Sequence, residues 1–157
     1  MVGGPVRPER HSMTDLQEVD RIAAADHHLA VVSTTRADSS VQASVVNAGI
    51  VGHPVSGEPV VAFVTYGRAK LAHLRARPRA TVVFRAGWNW AAVEGRTEIA
   101  GPDDPFPGVD QERLRLLLRE IFTAAGGTHD DWAAYDRVMV EQGRAAVFVH
   151  PERVYSN

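Results

Sequence analysis

VVAFVTYGRAKLAHLRARPRATVVF, residues 60–84, changes its periodicity twice within one short span. Val60 to Thr65 is an apolar run rich in β-branched residues and reads as a buried strand. Tyr66-Gly67 breaks it. From Ala69 to Ala76, Leu71 and Leu74 stand three apart and give a short helix one apolar stripe. Pro78 ends that helix, because it biases Arg77 away from helical backbone. Ala80 to Phe84 is a second apolar strand, so the unit is strand, tight turn, short helix, strand. It contains no acid, while Arg68 and Lys70 stand where strand passes into helix and Arg75, Arg77 and Arg79 follow. A helix N-terminus presents free N–H groups and the positive end of its dipole. With Arg68 and Lys70 beside it, that end suits a phosphate or carboxylate. The same charges also suit a solvated basic face on a surface helix, and the residues alone leave both open.

Working outward, seven more segments carry strand signals or helix periodicity around this unit. His28 to Thr35 and Val41 to Val51 read as a hairpin, with Arg36-Ala37-Asp38-Ser39-Ser40 as its turn. Trp88 to Ala100 reads as a long strand and Ala145 to Val149 as a last one. Thr14 and Gln17 form a capping box for a first helix that should end near Asp26. Asp110 should cap a helix with Leu114, Leu117, Leu118 and Ile121 on one side. Thr128 or Asp130 should cap another that carries Trp132, Tyr135, Val138 and Met139. Six strands with a few helices predict an α+β class, a small six-stranded antiparallel barrel with peripheral helices. Such a barrel fills its interior with side chains. A flat cofactor would then lie outside it, most easily in a groove shared by two subunits.

The 157 residues suit one domain, expected over residues 12–157, after a Gly/Pro-rich mobile tail at 1–11. A net charge of −2 gives no electrostatic case for a nucleic-acid partner. The absence of cysteine excludes disulfides, thiolate-bound zinc and thiol catalysis, and fits a reducing, cytoplasmic location. MVGGPVRPERHS has no apolar signal-peptide core, and no apolar run reaches the roughly 20 residues of a membrane span, so no membrane partner is expected. The histidines show no metal-ligand spacing, and no nucleophile or dinucleotide motif is present. No metal site and no catalytic side chain can be assigned.

Four motifs stand in order along the chain. They are Thr65-x-x-Arg68-Ala69-Lys70-x-x-x-Leu74-Arg75-x-x-Pro78-Arg79-Ala80, Gly87-Trp88-x-Trp90-Ala91-x-Val93-Glu94-Gly95, His129-Asp130-Asp131-Trp132-x-x-Tyr135, and His150-Pro151-x-x-Val154-Tyr155. The ordered set, from about Leu29 to Tyr155, resembles the split β-barrel flavin oxidoreductases, the superfamily of pyridoxamine 5′-phosphate oxidase. It is most similar to the actinobacterial branch that uses the deazaflavin coenzyme F-420 in place of FMN.

The resemblance implies a homodimer with cofactor at the subunit interface, and transfer of hydride from reduced F-420 to a small conjugated organic acceptor. An FMN-binding oxidase or reductase, and a non-catalytic binder of flavin, deazaflavin or tetrapyrrole, are the alternatives. The resemblance also assigns residues. Arg68 and Lys70 would hold the phosphodiester, with Thr65 at the start of the motif and His73 near Lys70. Arg75 and Arg79 would reach the oligoglutamate tail, which favours F-420 over FMN. Gln42, Ser44, Val45 and Asn47 would run beside the ring, and Trp88 and Trp90 would lie against it. Lys70 is expected exposed among like charges. One departure counts against vitamin-oxidase activity: the chain ends HPERVYSN, without the Trp and Arg-Leu-x-Pro pattern that holds the vitamin phosphate in those enzymes.

Overall fold

Strand length explains the closure of the sheet. The computed structural model describes residues 13–157, with side chains from Leu16 onward. The strands are β1 (Leu29–Thr35), β2 (Val41–Gly52), β3 (Pro59–Thr65), β4 (Arg79–Ala86), β5 (Asn89–Ala100), β6 (Ala145–Val149) and β7 (Arg153–Ser156). The helices are α1 (Met13–Ala24), α2 (Arg68–Ala76), α3 (Gln111–Ala124) and α4 (Trp132–Glu141). The strand order is β4-β1-β2-β3-β6-β5-β7, and a further β4–β5 ladder closes the first six strands into an antiparallel barrel. Closure needs two strands long enough to serve two ladders each. β2 pairs with β1 from Val41 to Asn47 and with β3 from Ala48 to Gly52. β5 pairs with β4 from Asn89 to Arg96 and with β6 from Thr97 to Ala100.

At both corners a glycine permits close approach. A Cβ on Gly95 would lie 1.7 Å from the His150 carbonyl oxygen, and one on Gly49 would lie 2.5 Å from the Ala124 carbonyl carbon. The split barrel is therefore an α+β fold with six closed strands and peripheral helices, as the sequence implies.

Two apolar clusters hold it together. Phe63, Phe84, Val32 and Val82 fill the barrel, and Leu16, Val19 and Ile22 of α1 pack onto that cluster. Outside the barrel, Leu117, Leu118 and Ile121 of α3 and Tyr135 and Met139 of α4 cover Val60, Ala62 and Phe148. β3 and β6 thus bury both faces, which is why they read as unbroken apolar runs. Each large buried aliphatic contributes up to about 1.5–3 kcal/mol.

Three expectations shift. The first helix begins at Met13, one residue before the expected Thr14 cap, and ends at Ala24. The tail at 1–11 and the Thr14 side chain lie outside the described residues. Asp131, not Thr128 or Asp130, caps α4, its Oδ1 accepting from the Ala134 N–H at 3.1 Å. The reason is local: His129 Nδ1 accepts from the Asp131 N–H at 3.0 Å, which folds the preceding turn back and moves the helix start on by one residue. The last segment is also more than a tail. Arg153–Ser156 adds β7 to the outside of β5, with Tyr155 opposite Ala92. Among the described residues no helix is long and apolar enough to cross a membrane, which says nothing of spanning by strands.

Candidate functional site

The chain leaves β3 at Thr65 and enters α2 three residues later. Thr65 is buried, and its Oγ1 accepts from the Gly67 N–H at 3.2 Å, which fixes the turn. Gly67 is the N-cap of α2 and supplies no side-chain cap. The first N–H groups of the helix therefore remain available, at its positive end. Arg68 and Lys70 fall in this first turn, and no acid does. The Lys70 ammonium lies 5.7 Å from the Phe63 ring centroid, and burial holds its pKa below the usual lysine value. It is half-buried rather than exposed, a correction to the sequence expectation.

Beside this turn runs a groove of about 760 Å³ between the β2–β3 surface and the α3–α4 layer. Val45, Asn47, Thr65 and Lys70 line it on the barrel side. Phe122, His129, Tyr135, Met139 and Arg144 line the other. Among the described residues no carboxylate lines this groove, and the charged side chains that do are the cations Lys70 and Arg144. A second cleft of about 820 Å³ shares Met139 and Arg144 with it. That cleft carries Asp104, Asp110, Glu112 and Asp136, so its chemistry is different.

The groove gathers only part of the expected set. On β2, Val45 and Asn47 lie on the exposed face, whereas Gln42 and Ser44 lie on the inner one. The period of two separates them. The Asn47 Nδ2 donates to the His27 carbonyl at 2.9 Å, and Gln42 Oε1 is buried with no partner among the described residues. His73 is turned away: its Nδ1 lies 3.2 Å from Thr34 Oγ1 on β1. Arg75 forks onto Asp104 at 2.6 and 2.8 Å, and Arg79 binds Glu152 at 2.9 Å. Neither is a free cation for an oligoglutamate tail in this chain. Arg77 donates its Nε–H to the Thr35 carbonyl at 2.7 Å. Trp88 sits at the β4–β5 turn, 92% exposed, and Trp90 packs edge-on to Tyr155 at 6.0 Å; neither lines the groove.

The far wall of the groove, Phe122, His129, Tyr135, Met139 and Arg144, was not expected from the sequence. His129 and Tyr135 belong to a motif visible in the sequence, but nothing there shows that the motif faces β2. His129 stacks on Trp132 at 5.8 Å, and Phe122 packs against Tyr135 at 5.0 Å, so one aromatic cluster makes this wall. The Tyr135 hydroxyl donates to the Leu118 carbonyl at 3.0 Å. Burial pushes its pKa up to about 12, against a smaller opposing effect of the Arg144 charge.

The fold also brings together three groups that sequence spacing kept apart. His53, in the loop after β2, donates its Nε2–H to Glu98 Oε1 on β5 at 3.0 Å. His150, just after β6, hydrogen-bonds the same oxygen through Nε2. The tautomer of His53 follows from its other nitrogen. Nδ1 accepts from the Val55 and Ser56 N–H groups, both at 3.2 Å, so the proton of the neutral ring sits on Nε2. A cation approaching from Glu98 would meet that proton rather than a lone pair. Ring nitrogens that bind metals normally donate from the other nitrogen. All three ligand atoms lie within 4.8 Å of one another, and the hydrogen bonds make the arrangement a carboxylate shared by two imidazoles. Burial raises the Glu98 pKa, but the hydrogen bonds from His150 and His53 outweigh it and hold the carboxyl below its usual value.

Comparison with known structures agrees with this geometry. At 15% identity, a conserved hypothetical protein of Mycobacterium tuberculosis superposes with a TM-score of 0.63, over 98% of this chain and 89% of that one. An F420 reductase is 17% identical, with a TM-score of 0.55 over 81% of this chain and 88% of the other. An FMN-binding protein of Nostoc punctiforme related to pyridoxamine 5′-phosphate oxidase is 13% identical, with a TM-score of 0.57 over 98% and 85%. Two further similar structures are longer, the chain spanning 55% and 61% of their lengths. At such identities these likenesses show the fold. The model of the pyridoxamine 5′-phosphate oxidase family matches residues 16–156, nearly the whole chain, and the protein belongs to that family.

Proposed function

We propose that the protein is an oxidoreductase that binds reduced F-420 in the β2–α2 groove and transfers its hydride to a small conjugated organic acceptor. One observation carries the binding reading: a groove that no carboxylate lines among the described residues ends at an uncapped helix N-terminus that bears Lys70. An uncompensated, half-buried ammonium beside free N–H groups is unfavourable alone and suits a phosphate. The cofactor supplies the hydride chemistry; a proton from solvent completes reduction of the acceptor.

The chain's residues have binding and positioning roles. Lys70, Arg68 and the α2 N–H groups hold the phosphate. Val45 and Asn47 line the ring's path, and the Phe122–Tyr135 wall keeps water from one side. Trp88 and Trp90 reach cofactor only across a subunit interface. A dimer is supported by an apolar face on the outer sheet: Val31 and Val45, cross-strand partners, are 41% and 65% exposed, with Leu29 and Val41 beside them.

The choice of F-420 over FMN rests on the ordered motifs, because Arg75 and Arg79 are committed to acids. FMN is the second reading, supported by the same uncapped α2 N-terminus with Lys70. A carrier without turnover is the third. It is supported by the buried Tyr135 hydroxyl, a poor acid already donating to Leu118. The test is turnover: reduced F-420 is mixed with the protein and with quinones, unsaturated lactones or biliverdin, and its reoxidation is followed optically. Enzyme-dependent reoxidation matched one for one by reduced acceptor is expected. Tight binding with no reoxidation by any acceptor would replace the enzyme with the carrier.

A further inference from the structure

We propose that Arg144 is the second prong of an anion clamp in the groove, taking with Lys70 an oxyanion, phosphate or carboxylate, of the bound cofactor's side chain. This rests on the cofactor reading above and adds a residue that neither the motifs nor the basic run 68–79 pointed to.

The argument begins with what Arg144 lacks. Arg75, Arg79, Arg113, Arg115 and Arg119 each meet a carboxylate. The Arg144 guanidinium meets none among the described residues. Its Nε donates to Gln142 Oε1 at 2.7 Å, and its two terminal nitrogens meet no acceptor among the described residues. It is nonetheless held in place. Gly143, at φ +60°, turns the chain out of α4, and the Arg144 N–H donates to the Met139 carbonyl at 3.0 Å. The guanidinium lies over the Tyr66 ring, 4.3 Å from its centroid. Tyr66 is the residue between Thr65 and the Gly67 cap of α2, so this stacking brings the fork to the same turn that carries Lys70.

The physical consequence is a preorganised cation with its fork unspent. Cation–π contact with Tyr66 orients the group but gives its terminal N–H donors no acceptor. Both cations line one groove that no carboxylate lines among the described residues, so an anion bound there is attracted by each of them. A guanidinium gives such an anion two parallel N–H donors, which an ammonium cannot. Because Tyr66 and Gln142 already restrict the side chain, little rotamer entropy remains to be lost when the anion binds.

The experiment is a set of binding titrations of wild type, Arg144→Gln and Arg144→Lys with FMN, with riboflavin, and with F-420 carrying or lacking its glutamate tail. Melting curves verify that each variant is folded. Arg144→Gln should weaken the phosphorylated ligand that wild type prefers by about ten- to a hundredfold. Arg144→Lys should retain part of the affinity, since charge survives without the fork. Riboflavin binding should not change. A loss that persists without the tail assigns the phosphate, and a loss that disappears with it assigns a tail carboxylate; either supports the clamp. The double variant with Lys70→Met should lose less than the sum of the two single losses, because both prongs share one anion. Changes below twofold for every phosphorylated ligand, or an equal loss for riboflavin, would overturn the clamp while leaving the cofactor reading in place. If wild type binds none of these ligands, the cofactor reading fails first and the clamp with it.

Discussion

Replacing Lys70 with methionine should separate binding from folding in opposite directions. The side chain is half-buried over Phe63, meets no acid among the described residues, and has its pKa lowered by desolvation. Folding thus penalises the charged form. A lysine whose folded pKa is depressed costs stability at every pH where it is charged in the unfolded chain, and neutral pH lies within that range. Methionine keeps the length and removes the charge. The gain is discounted because half the side chain still reaches water, which limits it to about 1 kcal/mol, or about 2–4 °C in a chain of this size. Binding should move the other way. A lost charge-assisted hydrogen bond of about 1.5–3 kcal/mol weakens a phosphorylated cofactor by roughly ten- to a hundredfold. High salt should weaken wild type more than the variant. The assay pairs a thermal melt of the cofactor-free protein with cofactor titrations at low and high salt. A higher melting temperature with unchanged affinity would show that the ammonium never meets the ligand. A clear fall in melting temperature would refute the desolvation argument.

Three further outcomes follow from other residues. Glu98 has a depressed folded pKa, so its contribution is present above the unfolded value of about 4.5 and is lost as pH falls through the folded pKa; Glu98→Gln should lower the melting temperature at pH 7 by about 4–10 °C, and the gap from wild type should narrow toward pH 3. Gly95→Ala would set a Cβ 1.7 Å from the His150 carbonyl oxygen, so urea unfolding should show a loss of about 2–4 kcal/mol, whereas Gly87→Ala, where nothing lies within 4 Å, should cost only the strain of its positive φ. Arg75→Ala and Arg79→Ala should leave cofactor affinity within twofold, since Asp104 and Glu152 hold these side chains; a tenfold loss in titration would return them to the site.

The fold was legible because its decisive segments carry local signals. Residues 60–84 switch from strand to helix and back within one unit, and the Asp110 cap of α3, with Oδ1 2.7 Å from the Arg113 nitrogen, is a side-chain signal readable in one dimension. β7 was not, because four residues show too short an alternation and exist as a strand only through their ladder to β5. At the site, Thr65 and Lys70 share one motif and the family resemblance sets Val45 and Asn47 beside the ring; all four line the groove. His73, Arg75 and Arg79 could not be excluded, since their partners Thr34, Asp104 and Glu152 are 39, 29 and 73 residues away. Gln42 and Ser44 differ from Asn47 by strand parity, which the sequence shows, but parity does not tell which face meets the groove. Arg144 carries no local signal at all. Its importance comes from what packs around it, as does that of the His53–Glu98–His150 cluster, assembled across up to 97 positions of chain.

The central claim is that the β2–α2 groove holds a phosphorylated deazaflavin. The most direct measurement is a side-by-side titration of the purified protein with F-420, FMN and riboflavin, read by fluorescence and calorimetry. F-420 should bind most tightly, riboflavin should bind weakest, and Lys70→Met should remove most of the advantage that a phosphate confers. FMN binding more tightly than F-420 would contradict the deazaflavin assignment. No difference between FMN and riboflavin would contradict the phosphate site itself.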